Sequence, residues 1–133
     1  MLYLWGLELK ILIIEDNERN RRLFKLIIDS IGHEIVMAEN GEEGIKAARK
    51  ERPDLILMDI HLPVMDGLTA FSILRSNEGT KDIPVIAATS HAMKGDRERF
   101  LEQGFADYIA KPIDVDDFIE TLDAVSKRQP ARK

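Results

Sequence analysis

Cysteine is absent from the 133 residues, which removes disulfide scaffolds, thiolate zinc sites, iron–sulfur clusters and cysteine nucleophiles together. No stretch approaches the ~20 consecutive apolar residues of a spanning helix. The most apolar segment is the start, where Met1 to Leu9 holds seven apolar positions and the only tryptophan, Trp5. It lacks the basic n-region and small-residue cleavage site of a signal peptide. A partly mobile leader over residues 1–9 is expected, or else a docking or dimer contact through Leu4, Trp5 and Leu7. An excess of bases is also missing. With 24 acids against 19 bases and a net charge of −5, the balance argues against a broad surface tracking nucleic-acid phosphates and leaves room only for a local basic patch. Internal repeats, low-complexity tracts and linkers are absent, and no second domain is expected after Val125. The basic stretch from Lys127 to Lys133 reads as a solvated tail, a tail by itself being weak evidence for nucleic acid.

What is present is a composition of 44% apolar and 32% charged residues, that of one soluble globular domain whose folding buries roughly two-thirds of the unfolded surface. Short apolar runs recur at Ile11–Ile14, Ile35–Ala38, Leu55–Met58, Val85–Ala88 and Tyr108–Ala110. Between them lie helical spacings: Leu23, Leu26, Ile27 and Ile31; Ile45 and Ala48; Phe71 and Leu74; a helix over Lys94–Gln103; and the stripe Val115, Phe118, Ile119, Leu122 and Val125. Asn40 with Glu43, and Asp114 with Asp117, have N-cap spacing, and Gly32 and Gly104 stand where helix C-terminal glycines belong. Five strands alternating with five helices, the strands apolar almost throughout, predict an α/β fold with one doubly wound five-stranded parallel sheet buried on both faces.

In such a sheet ligands sit outside the carboxyl ends of the strands, where the strand order reverses. Glu15-Asp16-Asn17 follows the first strand, Asp59 the third, Thr89-Ser90 the fourth and Lys111-Pro112 the fifth. If the first and third strands are neighbours, Glu15, Asp16 and Asp59 converge, and three adjacent carboxylates repel one another unless a cation joins them. Hard oxygen ligands with room for water describe Mg²⁺. Such a cation, Lys111 and the Thr89 hydroxyl could together hold three oxygens of a phosphoryl group, leaving Asp59, already ionised, as its acceptor. Taken singly these residues have plainer readings, Asp16 or Asn17 as a helix N-cap and Lys111 as a surface lysine. The specific signal is the set, one member at the end of each of four strands.

These residues lie in segments that resemble the response-regulator receiver domain: Ile13-Ile14-Glu15-Asp16-Asn17, Leu57-Met58-Asp59-Ile60-His61-Leu62-Pro63-Val64-Met65-Asp66-Gly67, Ala87-Ala88-Thr89-Ser90-His91-Ala92 and Tyr108-Ile109-Ala110-Lys111-Pro112. The likeness spans about Lys10 to Lys127. Within the family it points to stand-alone receivers of the DivK type and to receivers of hybrid histidine kinases, as does the run Ala92 to Arg99. The resemblance implies the flavodoxin-like strand order 2-1-3-4-5 and a receiver over residues 10–127, with 128–133 as tail. It implies a phosphoacceptor at Asp59, fed by a histidine kinase or histidine phosphotransfer protein. Mg²⁺, with Mn²⁺ as a substitute, would be ligated by Asp16, Asp59 and the backbone carbonyl of His61, with Glu15 acting through metal waters. A cis Lys111–Pro112 bond is also implied, as is a phosphate-binding and switch set of Thr89, Ser90, Lys111 and Tyr108, whose ring turns inward as the Thr89 hydroxyl moves to the phosphate. One departure is Glu15, often Asp in the family.

The output would leave through the surface of the fourth helix, fifth strand and fifth helix to a protein target, without nucleic acid or membrane. The chain would act as a cytoplasmic, bacterial, monomeric or weakly dimerising switch that catalyses only its own phosphorylation and dephosphorylation. His61 and His91 have two readings: exposed loop imidazoles, or residues flanking the attacking water that tune dephosphorylation. Three rivals compete. A haloacid-dehalogenase-type phosphatase requires Asp-x-Asp where this chain has Asp59-Ile60-His61. A flavodoxin-like cofactor binder would find its phosphate repelled by Glu15 and Asp16. A pseudo-receiver would lack the residues that are all present here.

Overall fold

The computed structural model describes residues 8–128; the expectations for residues 1–7 and 129–133 lie outside that range. Five strands and five helices alternate among the described residues: β1 (Lys10–Ile14), α1 (Glu18–Ser30), β2 (Glu34–Ala38), α2 (Gly41–Glu51), β3 (Leu55–Asp59), α3 (Gly67–Arg75), β4 (Val85–Thr89), α4 (Asp96–Gln103), β5 (Asp107–Ala110) and α5 (Val115–Arg128). The sheet is parallel in the order β2-β1-β3-β4-β5. No helix among the described residues is long and apolar enough to cross a membrane.

Strand residues alternate between the two faces, and each face has its own core. Leu12, Ile14, Ile56, Met58, Val85 and Ala87 pack with α2, α3 and α4 through Ile45, Phe71, Leu74 and Phe100. Ile11, Ile13, Leu55, Leu57, Ile86 and Ala88 pack with α1 and α5 through Phe24, Ile28, Phe118 and Leu122. Every residue of β3 and β4 is buried, which is why these strands read as continuous apolar runs rather than as alternations. Each large aliphatic buried this way contributes about 1.5–3 kcal/mol.

The apolar stripe of α1 is shifted from the one expected. Phe24, Ile27 and Ile28 are buried and Leu26 is 70% exposed. A stripe through 24, 27, 28 and 31 keeps the 3.6-residue period, and position 26 lies on the opposite side of the helix. On α5, Phe118, Leu122 and Val125 are buried while Val115, at the first position, is exposed. The fourth helix begins at Asp96, two residues after the expected start, behind Gly95 in the left-handed conformation. Leu9 is tied to the edge of the sheet, its N–H donating to His33 Nδ1 at 3.0 Å and its carbonyl accepting from the Glu34 N–H at 2.8 Å.

Candidate functional site at the strand ends

Register brings the site residues together. Ile14 pairs with Met58, Asp59 with Ala88 and Thr89 with Ala110, so Glu15, Asp59, Thr89 and Lys111 emerge side by side at the carboxyl edge. Asn17, not Asp16, caps α1, its side chain accepting from the Asn20 N–H at 2.9 Å. Asp16 is exposed beside a cleft of about 600 Å³ lined also by Asn40, Gly41, Pro63, Val64 and Met65.

Glu15, Asp16 and Asp59 form one cluster, with a carboxylate oxygen from each within 4.8 Å of the others. Glu15 and Asp59 are buried, and all four of their carboxylate oxygens have partners. Lys111 Nζ lies 2.7 Å from Glu15 Oε1 and 3.1 Å from Asp59 Oδ2. The Asn17 N–H donates to Glu15 Oε2 at 3.0 Å, and the His61 N–H donates to Asp59 Oδ1 at 3.0 Å. Burial raises the Glu15 pKa; the Lys111 and Asn17 bonds oppose it, and the Asp59 charge adds to it. For Lys111 burial works against the charge, but the bond to Glu15 and the charges of Glu15 and Asp59 win, so its pKa is raised. One ammonium among three carboxylates leaves negative charge in excess, and oxygen donors arranged this way suit a hard divalent cation. The group could hold a metal.

Thr89 is buried at 2% exposure. Its Oγ1 accepts from the His91 N–H at 3.0 Å and lies 3.1 Å from His61 Nε2. The two exposed histidine rings meet edge to face with centroids 4.5 Å apart. Ser90 is exposed, and its hydroxyl lies 3.5 Å from His91 Nδ1. Tyr108 lies on β5. Its ring already lies inward, stacked on Phe100 with centroids 5.4 Å apart, and its buried hydroxyl has no hydrogen-bond partner. Burial pushes its phenol pKa up. The Lys111–Pro112 peptide is cis.

Two supports were not singled out from the sequence. A Cβ on Gly67 would come within 2.5 Å of the Asp59 carbonyl oxygen and 2.7 Å of Ile60 Cα, so glycine there lets α3 close onto the end of β3; its signal is Asp66-Gly67 at the start of the helix that follows the strand. The Arg21 guanidinium donates to the Glu15 carbonyl at 2.9 Å, a contact for which the sequence carries no signal.

Residues 11–123 match the family described as the response regulator receiver domain. The chain belongs to that family. It is 48% identical over 112 residues to the polar-differentiation response regulator DivK of Brucella anthropi, covering 84% of this chain and 91% of that protein. The DivK of Brucella ovis is 47% identical over the same shares. Among solved structures, the receiver domain of the sensor histidine kinase PA1611 of Pseudomonas aeruginosa, crystallised with a magnesium ion in its active-site cleft, superposes with a TM-score of 0.81. It shares 34% identity and covers 91% of this chain and 99% of that one. This receiver is thus a component of two-component signalling, a switch rather than a classical enzyme.

Proposed function

We propose that Asp59 is the phosphoacceptor and that its phosphorylation switches the receiver's protein contacts. The observation that carries this is the Asp59 carboxylate itself, aimed by the His61 N–H and Lys111 and clustered with Glu15 and Asp16. An Asp59 oxygen attacks phosphorus, the P–N bond of a phosphohistidine on a histidine kinase or histidine phosphotransfer protein breaks, and the imidazole keeps the bonding pair and takes a proton. Asp16, Asp59 and the His61 carbonyl would hold Mg²⁺, or Mn²⁺ in its place. Glu15, with both oxygens engaged, would act through metal waters. The cation would neutralise charge on the transferring group. Lys111 and Thr89 bind phosphoryl oxygens, and Ser90 is the neighbouring hydroxyl of that set. Water on the acyl phosphate resets the switch.

The receiver unit is residues 10–127, and the output surface is α4, β5 with Tyr108, and α5, presented to a protein target in the cytoplasm. Acetyl phosphate with Mg²⁺ tests the reading. Intact mass should show one added phosphoryl group on the wild-type chain, none on Asp59→Asn and none with chelator. An unmodified wild type, or equal modification of Asp59→Asn, would refute it.

A further inference from the structure

We infer that His61 is a positioning residue which, through its side chain, ties the Thr89 hydroxyl in place and so holds the receiver in its resting arrangement. The inference rests on the proposed role of Thr89 in binding the phosphoryl group. Thr89 is buried, yet its hydroxyl is reached from outside by an exposed imidazole 28 residues away in sequence, with His61 Nε2 3.1 Å from Oγ1. The fold does not need this ring for closure, since the contact of His61 with Asp59 is made by its backbone N–H.

The other two contacts complete the tether. The His91 N–H donates to the same Oγ1 at 3.0 Å, and the His91 ring braces the His61 ring edge to face. The remaining bond runs from the hydroxyl hydrogen to Nε2 in one imidazole tautomer, and from Nε2–H to the second oxygen lone pair in the other. In both cases Oγ1 is held beside the ring, and to follow a phosphoryl oxygen on Asp59 it must leave it. A bond made in one of two states biases the equilibrium toward that state by its own free energy. A single net hydrogen bond corresponds to about a three- to tenfold change in an equilibrium constant.

The test measures the affinity of the full chain for beryllofluoride, a phosphoryl mimic, in saturating Mg²⁺, together with the rate of phosphorylation by acetyl phosphate. His61→Ala should bind beryllofluoride about three- to tenfold more tightly than wild type and accept phosphoryl faster. His61→Gln, whose amide reaches about as far as Nε2, should return to the wild-type value. The gain should vanish in a Thr89→Val background, which keeps the shape without the hydroxyl, and persist in Thr89→Ser. A merely structural role for His61 would give the same change in all three backgrounds. If Thr89→Val weakens beryllofluoride binding while His61→Ala matches wild type, or if the His61→Ala gain survives in Thr89→Val, the tether is refuted and the phosphoryl reading stands. If wild type shows no Mg²⁺-dependent beryllofluoride binding, that reading fails and the tether with it.

Discussion

On the β1–β3 side of the site, every oxygen of the buried carboxylates Glu15 and Asp59 has a partner, and the helices that start there are capped by side chains. Asn17, Asn40 and Asp66 accept from the Asn20, Glu43 and Thr69 N–H groups, each such cap being worth about 1 kcal/mol. The β4–α4 side is held differently. Residues 90–95 are exposed, and α4 has eight residues and no side-chain cap at Gly95. Its attachments are Phe100 on Tyr108 and Phe105, the Arg97–Asp107 ion pair and the bonds of Asp96 to Arg99 and the Met93 N–H. On the proposed reading, the acceptor Asp59 sits in the densely hydrogen-bonded part of the edge, while the Thr89 hydroxyl that would follow the phosphoryl group borders the β4–α4 segment, held by fewer side-chain contacts. A switch needs that asymmetry, because chemistry requires fixed geometry and signalling requires an element whose two arrangements lie close in free energy.

The comparison can be broken most severely at Lys111. Lys111→Met leaves two buried carboxylates without their counter-charge and should cost about 3 kcal/mol at neutral pH. Urea unfolding should show the loss shrinking as pH falls and the carboxylates protonate. Gly67→Ala comes next, because its Cβ meets backbone rather than a pliable side chain. It should cost about 1–3 kcal/mol in thermal melts and slow phosphorylation by acetyl phosphate, since Asp59 moves with the strand end.

Glu15 gives a pH signature. Its folded-state pKa lies above the ordinary 4.5, so between the two values the folded chain binds more protons than the unfolded one. The contribution of Glu15 to metal-free stability should thus be fullest below about 4.5 and fall as pH rises through the raised value. Glu15→Gln should flatten that part of the melting profile and reduce stabilisation by Mg²⁺. The smallest effect sharpens the comparison from its other side. Arg97→Ala removes a half-exposed ion pair and should cost under about 1 kcal/mol globally, while amide exchange in α4 speeds up and that of β1 and β3 stays unchanged.

The sheet and the carboxylate cluster were legible because local signals carried them. Apolar runs of strand length marked buried strands, and a polar residue directly after each run marked the edge where ligands bind. The strand order followed from the family resemblance and the cluster from the order. Legibility ended where neighbouring elements decide. Leu26 and Phe24 are equally apolar, and only packing against α5, where Phe24 meets Phe118 at 5.3 Å between centroids, selects which one turns inward. For His61 and His91 the sequence leaves two readings open, exposed loop imidazoles or residues beside the attacking water, and it carries no signal for the contact of His61 with Thr89, which depends on how two loops from different strands lean together.

Reduction of the phosphorylated chain with borohydride, which converts an aspartyl phosphate to homoserine, followed by peptide mapping, tests the central claim most directly. After treatment with acetyl phosphate and Mg²⁺, homoserine should be found at position 59 and at no other acid. Homoserine at Asp16, or none anywhere, would contradict the account.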